Sequence, residues 1–294
     1  MPPSRLSSSR SAGLLCLIVT AVGWGVNWPA MKFLLREWPP LFARGVAGVT
    51  AALLLALLAR SLGQSLAVPR ALLGRLALGG LLNVFAWMGF STLSMLWLAA
   101  GQGALLVYTM PIWAMLLTWP LLGKRPQARG VVGLALCAVG LGLLFGGHDL
   151  AIGAAQLPGV LFALAAAVSF ALGTVMLAPL ALPPLTLLVW QLVIGCVPMI
   201  AFGVVDEKPD LGGLSPLGWG LLAYMTLVPM GLCYLTWFAA LRRLPPALAA
   251  VGTLLTPVVG VVSAAWVLGE PLGIREAVAM VLTISGVALA LRRA

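Results

Sequence analysis

The sequence predicts an all-α polytopic membrane protein, in which ten transmembrane helices form two inverted five-helix repeats with both termini in the cytoplasm. Three observations carry this prediction. Of the 294 residues, 62% are hydrophobic and only 8% are charged, whereas soluble domains carry about 25% charged residues. Apolar runs near the roughly 20 residues that a membrane-crossing helix needs recur along the chain. Finally, the two halves of the chain resemble each other.

Prolines, glycines and charged residues divide the chain into ten apolar segments. The first follows a basic tail, residues 1–11, as in a signal peptide, but its apolar run is too long for one and predicts a retained helix. The one sizeable polar connection lies around residue 209, so no extramembrane domain is expected. The segments are 12–35, 39–59, 71–96, 99–122, 128–146, 157–179, 184–205, 215–241, 245–268 and 272–291.

The basic residues predict how the helices are oriented, because cytoplasmic loops are enriched in Lys and Arg. With the N-terminus in the cytoplasm, all seven acidic residues fall outside the membrane on the far side. Twelve of the 17 basic residues then lie on the cytoplasmic side: Arg5, Arg10, Arg60, Arg70, Arg75, Lys124, Arg125, Arg129, Arg242, Arg243, Arg292 and Arg293.

An offset of 146 residues aligns the second half of the chain with the first. It places residues 104–126 over 250–272, and the predicted repeats are 12–146 and 157–292. An odd number of helices in each half means that the second half enters the membrane upside down. Duplication without a transport role is the alternative reading. The matched pairs include Pro111 with Pro257, Leu122 with Leu268, Gly123 with Gly269, and Trp24 with Phe170.

Several function classes lack their required residues. The basic residues form no patch for nucleic acid, and no Gly-rich phosphate loop supports ATP-driven transport. The four cysteines lie apart in apolar segments, which argues against disulfides and a zinc site. With one His, at 148 in a loop, and no acid within a predicted helix, neither an enzyme nor a metal or cofactor site is expected.

The chain resembles the EamA family of the drug/metabolite transporter superfamily. The resemblance rests on Trp24-Gly-Val-Asn27 in the first helix, and on the Ala-rich helices around Pro111 and Pro257 that end in Gly123-Lys124 and Gly269-Glu270. It covers the whole chain and is greatest to the YddG-type exporters. It implies a secondary transporter in the bacterial inner membrane that exports aromatic and other neutral amino acids.

Polar and aromatic residues near the middle of the segments are the candidates for a substrate cavity. An apolar wall with a few polar groups suits a zwitterionic amino acid, although Asn side chains also join helices and Trp also lies at the lipid interface. Arg44 is left out, because its place near the outer end of its helix predicts snorkelling. The predicted cavity residues are Trp24, Asn27, Asn83, Trp87, Tyr108, Phe170, Tyr234 and Trp237, with Pro111 and Pro257 as hinges.

The absence of an acid within the helices favours uniport over proton coupling. A nucleotide-sugar, organic-phosphate or drug carrier remains an alternative, and a phosphate substrate would call for Lys or Arg deep in the cavity. A membrane scaffold is the alternative outside transport. Gly142 and Gly146 predict close helix packing. Because ten helices complete the predicted fold, a monomer in contact with membrane lipid is expected.

Overall fold

The computed structural model describes residues 3–123, 125, 127–145, 150–177, 180–245, 248–249 and 252–291, and only the backbone of residues 3–9 and 150–153. In this part of the chain, nine helical segments are long and apolar enough to cross a membrane, and a tenth is shorter. They are α1 (Pro3–Leu34), α2 (Pro40–Ser61), α3 (Arg70–Ser94), α4 (Ala100–Leu122), α5 (Ala128–Phe145), α6 (Leu150–Met176), α7 (Pro184–Glu207), α8 (Pro216–Leu241), α9 (Leu255–Leu268) and α10 (Ile274–Leu291).

The contacts between the helices have two-fold symmetry. α1 packs against α8 and α9, and its counterpart in the second half, α6, packs against α3 and α4. α2 packs against its own counterpart α7, and α5 packs against α10. Exchanging the two halves therefore turns the contacts of α1 into those of α6 and leaves the α2–α7 and α5–α10 contacts unchanged. The prediction of ten helices in two five-helix repeats is confirmed.

Interruptions within the helices also occur at matching places in the two halves. α3 contains a π-helical turn at Leu81–Ala86, and α8 contains one at Val228–Leu232. α4 stops at Val107 and resumes at Met110, while α9 begins at Leu255 after a turn. The halves therefore share these irregular turns as well as the helix order, whereas the π-helical turn at Gly203–Glu207 in α7 has no counterpart in α2.

The interruptions of α4 and α9 lie directly before Pro111 and Pro257. A proline lacks the backbone N–H and clashes with the preceding turn, so a helix restarts easily at such a residue. Both second segments end at a glycine with a φ of +69°, Gly123 and Gly269. This left-handed conformation is a common helix end and favours glycine. Of the predicted segment 245–268, residues 246, 247, 250 and 251 lie outside the described part.

Glycines bring α5 and α10 close together. A Cβ atom added to Gly133 would lie 2.5 Å from the carbonyl oxygen of Gly286, and one added to Gly140 would lie 2.7 Å from Oγ1 of Thr283. The prediction of close packing at Gly142 is wrong, since a Cβ there would meet nothing within 4 Å. Gly146 lies outside the described residues.

Two helices extend further than the sequence predicts. α1 is helical from Pro3, so most of the predicted tail, 1–11, continues the first transmembrane helix. α6 begins at Leu150 rather than at residue 157 and runs through Pro158. The stretch before Pro158 is rich in Ala, Leu and Ile, and its strong helix formers keep the helix intact there. His148 falls outside the described residues.

Carboxylates at one end of the bundle bind the first backbone amides of three helices. Glu207 accepts hydrogen bonds from the N–H groups of Leu41 and Phe42 at the start of α2. Glu270 accepts hydrogen bonds from the N–H groups of the first residues of α4. Glu37 accepts them from the N–H and the hydroxyl group of Ser215, directly before α8. Negative charge is favourable at a helix N-terminus. We call the side of the bundle that holds these three carboxylates the acidic end. The opposite side, where α2 ends, is the basic end.

Candidate substrate-binding site

A small cavity lies between the two repeats, where the middle of α1 faces α2, α3, α4 and α8. The space open to the centres of water molecules is ≈ 30 Å³, room for about two waters. A bound amino acid would therefore require the surrounding helices to move apart. The described lining residues are Trp24, Asn27, Trp28, Met31, Arg44, Trp87, Met88, Ser91, Tyr108, Pro229, Met230 and Tyr234.

The helix interruptions bring backbone and side chains to this cavity. Pro229 and Met230 belong to the π-helical turn of α8, and Tyr108 lies at the break in α4. Pro229 presents a carbonyl oxygen to the cavity wall, where it accepts a hydrogen bond of 2.9 Å from Nε1 of Trp24. The irregular turns thus shape the site, and the two-fold symmetry places them near the middle of the bundle.

Aromatic rings form one wall of the cavity. The ring of Trp24 lies 5.4 Å from that of Tyr234 in an edge-to-face arrangement, and 6.0 Å from that of Trp237. The ring of Trp28 lies 6.5 Å from that of Tyr108. Such pairs orient each other and offer both ring faces and edges to a ligand. This wall suits an apolar or aromatic group.

Asn27 brings an unused acceptor to the site. Its side chain is 6% exposed, and its Oδ1 atom has no hydrogen-bond partner in the described part of the chain. A buried amide oxygen without a partner costs free energy, of the order of 1–3 kcal/mol. A bound ligand that donates a hydrogen bond would remove this cost.

Arg44, which the sequence predicts to snorkel, lines the cavity instead. It lies in the second turn of α2, but its side chain is only 5% exposed and does not snorkel to the membrane surface. Among the described residues, Nη1 donates to the sulfur of Met31 alone, at 3.7 Å, and Nε has no partner. Thioether sulfur is a weak acceptor. A charged residue inside a membrane segment is the sequence signal that could have identified it.

The other predicted residues surround the cavity without all lining it. Trp24, Asn27, Trp87, Tyr108 and Tyr234 line it. Phe170 packs on Trp87, with 5.4 Å between the ring centres, and Trp237 packs on Trp24.

Asn83 lies further away, at the contact between α3 and α6. A Cβ atom added to Gly173 would lie only 2.0 Å from its Oδ1, which finds no hydrogen-bond partner among the residues that the structure describes. The structure therefore gathers five of the eight predicted residues around the cavity and puts two more in the layer behind them.

The described lining contains one guanidinium, one amide, hydroxyls and aromatic rings, and no Asp or Glu. Among the described residues, no group of His, Cys, Asp and Glu is arranged to hold a metal ion. What this arrangement can do is bind a small molecule that has an apolar body and a polar or anionic end, in a space bounded by both repeats.

Two inverted five-helix halves around a small central cavity define a class of protein, the secondary transporters, whose substrate sites lie at the interface of such repeats. The family model of the EamA-like transporter family matches residues 11–146 and 157–292. The chain belongs to the EamA-like transporter family. It is a membrane transporter for a small-molecule substrate, and a multi-pass protein of the bacterial inner membrane.

Relatives of full length support this assignment. The chain is 28% identical to the uncharacterized transporter YvbV of Bacillus subtilis, over 97% of this chain and 92% of that one. It is 29% identical to a "probable amino-acid metabolite efflux pump" of Salmonella typhimurium, over 95% and 94% of the two chains. The uncharacterized inner membrane transporter YedA of Escherichia coli is 28% identical, over 90% and 86%.

A solved crystal structure has the same fold. It superposes with a TM-score of 0.67 over 96% of each chain, at 18% sequence identity. At this identity the likeness concerns the fold alone.

Proposed function

We propose that the protein exports neutral, mainly aromatic or apolar, amino acids from the cytoplasm by alternating access, as a uniporter and a monomer. The observation that carries the proposal is the cavity between the repeats, which joins an aromatic wall to polar atoms that lack partners. An apolar site with a few placed polar groups suits a zwitterion with an apolar side chain. The similarity to an amino-acid metabolite efflux pump supports this substrate class.

In this proposal the aromatic wall holds the substrate side chain and the polar atoms hold its charged groups. Phe170 and Trp237 support the rings that line the cavity, and Asn83 reaches the substrate when the repeats separate. The substrate-binding residues are then Trp24, Asn27, Asn83, Trp87, Tyr108, Phe170, Tyr234 and Trp237.

Alternating access requires the halves, 12–146 and 157–292, to move against each other. The breaks before Pro111 and Pro257 are the proposed hinges. Each lies where a helix already lacks continuous backbone hydrogen bonding, so bending there disrupts few further bonds. In the proposed orientation the basic end faces the cytoplasm, since basic loops favour that side.

The described lining of the cavity supports uniport. Proton-coupled carriers use an ionisable group within the membrane, and the described cavity lining has no carboxylate and no His. The substrate's own gradient would then drive export.

Counterflow in proteoliposomes tests the proposal. Purified protein is reconstituted into vesicles loaded with unlabelled L-phenylalanine, and the entry of labelled amino acids is measured with equal pH on both sides. We expect aromatic and apolar amino acids to enter faster than charged ones. Transport that strictly requires a pH gradient would overturn uniport. An absence of flux for every amino acid would overturn the substrate class.

An organic-phosphate or nucleotide-sugar carrier is the second candidate, and Arg44 is the observation that favours it. Arg44 was expected to snorkel, but its side chain is buried and lines the cavity. Phosphate recognition commonly uses Arg or Lys. Inhibition of phenylalanine counterflow by excess organic phosphate, in the same vesicles, would support this candidate.

A further inference from the structure

Arg44 has no counter-charge in the described part of the cavity. The described residues that line the cavity with it include neither Asp nor Glu. Three described acids bind helix N-termini at the acidic end: Glu37, Glu207 and Glu270. The guanidinium is thus a buried cation whose described partner is a thioether.

A buried charge without a partner is costly, and an anion that enters the cavity would remove this cost. The planar guanidinium offers parallel N–H donors whose spacing matches the two oxygens of a carboxylate. A carboxylate bound there would occupy the polar side of the cavity while the rest of the ligand contacts the aromatic wall.

The cavity has much less to offer an ammonium group. The acceptors among its described lining residues are neutral, chiefly the unpartnered Oδ1 of Asn27 and the hydroxyl groups of Tyr108 and Tyr234. An ammonium group held by neutral dipoles gains less than one paired with a carboxylate. The cavity should therefore bind the carboxylate of an amino acid more strongly than its ammonium group.

We propose that Arg44 binds the substrate carboxylate, and that the cavity selects its ligands by the carboxylate rather than by the ammonium group. Aromatic carboxylic acids without an amino group are then ligands, and amino-acid amides are not. The inference rests on the proposed function, because it takes this cavity as the substrate site, and it names the chemistry that the site recognises.

Four phenyl compounds separate the contributions of the two charged groups. L-phenylalanine has both groups, 3-phenylpropanoate lacks the ammonium group, L-phenylalaninamide lacks the carboxylate, and phenyl phosphate replaces it by a phosphate. Binding to the purified full-length protein in detergent is measured by the shift of its thermal unfolding midpoint with ligand concentration. Inhibition of phenylalanine counterflow is measured in parallel.

We expect 3-phenylpropanoate to bind at least as tightly as L-phenylalanine, and the amide to bind about 10- to 100-fold more weakly, as loss of a hydrogen-bonded charged partner predicts. In R44Q we expect L-phenylalanine and 3-phenylpropanoate to bind about 10- to 100-fold more weakly. In R44K the loss of affinity should be smaller, because lysine keeps the positive charge but lacks the paired N–H donors of the guanidinium. R36Q is the matched control, since Arg36 is exposed and lies over Phe33 at the end of α1.

The outcomes distinguish the two proposals. Equal binding of L-phenylalanine and its amide to the unaltered protein would overturn the role of the carboxylate, whether or not R44Q folds, and would leave amino-acid export intact. Tighter binding of phenyl phosphate than of 3-phenylpropanoate would also overturn it. Arg44-dependent binding of carboxylates without amino-acid flux would support the inference and overturn the proposed export. Loss of carboxylate affinity in R36Q as large as in R44Q would overturn the assignment to Arg44.

Discussion

Trp24 shows how one side chain can have two tasks in the candidate site. Its indole N–H donates to the carbonyl oxygen of Pro229 and so joins α1 to the irregular turn of α8. Its ring contacts Tyr234 and Trp237 and faces the cavity. Loss of this residue would therefore alter packing as well as binding. Among the described residues, the indole N–H of Trp87 has no hydrogen-bond partner, and the ring of Trp237 packs on Trp24, so these two residues are better suited to testing binding.

Replacement of Trp87 or Trp237 by Ala should lower phenylalanine counterflow by about 10-fold, since each removes a large ring that would contact the substrate or support one that does. Trp266 provides the control, because its side chain is 89% exposed. The protein yield in the membrane and the counterflow rate are measured for all three variants. Normal flux in both W87A and W237A would contradict the cavity assignment.

At the scale of helices, the close contact between α5 and α10 depends on glycines, which have no side chain. Gly133 and Gly286 bring the backbones together, and each leaves no room for a methyl group. Apolar lipid provides no hydrophobic force between helices, so close contact of small residues is what holds such pairs together. The helices that touch their own counterparts, α5–α10 and α2–α7, both use glycines in this way.

Two Gly→Ala changes in the same helix test this packing. Gly133→Ala should lower the thermal unfolding midpoint in detergent, because the new methyl group would lie 2.5 Å from the carbonyl oxygen of Gly286. Gly142→Ala should leave the midpoint unchanged or raise it, since its position is open and alanine favours a helix by about 1 kcal/mol. Equal effects of the two changes would show that this contact is unimportant.

The broken helices α4 and α9 supply a second prediction at this scale. Pro111→Ala and Pro257→Ala restore a backbone N–H at each break and favour a continuous helix. We expect slower counterflow with nearly unchanged affinity for L-phenylalanine, and similar effects at the two positions because they are repeat partners. Affinity is read from thermal stabilisation and speed from flux. Full speed in both variants would exclude these hinges.

For the whole molecule, the orientation in the membrane is the quantity to measure. Leu211 lies between α7 and α8 at the acidic end, and Leu62 follows α2 at the basic end; their side chains are 66% and 60% exposed. A cysteine at position 211 should react with a membrane-impermeant maleimide on cells whose outer membrane alone is permeabilised. A cysteine at position 62 should react only after the inner membrane is opened as well. The reverse pattern would place the N-terminus outside.

The parent protein sets the background for this labelling. Three of its four native cysteines, Cys137, Cys196 and Cys233, are buried, and Cys16 is half-buried. Labelling of the parent under each condition is subtracted from that of the two variants.

Much of the fold could be predicted from the sequence because hydropathy and the repeat act over many residues. The ten helices and the equivalence of Pro111 with Pro257 follow from patterns that do not depend on a single side chain. The π-helical turns could not be predicted in this way, since their residues, such as Leu81–Ala86, have the composition of an ordinary apolar helix.

Some features of the candidate site could not be predicted from the sequence, because they do not follow from the local pattern of residues. The central aromatic residues could be chosen by their depth in each segment. The environment of Arg44 depends on where α1 and α3 cover α2, which the spacing of residues along one helix does not reveal. Pro229 contributes through its carbonyl oxygen, a group that every residue has. Both depend on packing between distant segments.

The three carboxylate contacts at the acidic end have a kinetic consequence. Each joins one repeat to the other: Glu37 in the first repeat reaches α8, while Glu207 and Glu270 in the second reach α2 and α4. All six acids of the described chain lie at this end. The described part of the basic end therefore has no carboxylate that could join the two repeats in the same way. In the proposed export cycle, opening of the acidic end would break charge-assisted bonds that opening of the basic end would leave intact. We therefore expect release rather than loading to be the rate-limiting step of the cycle.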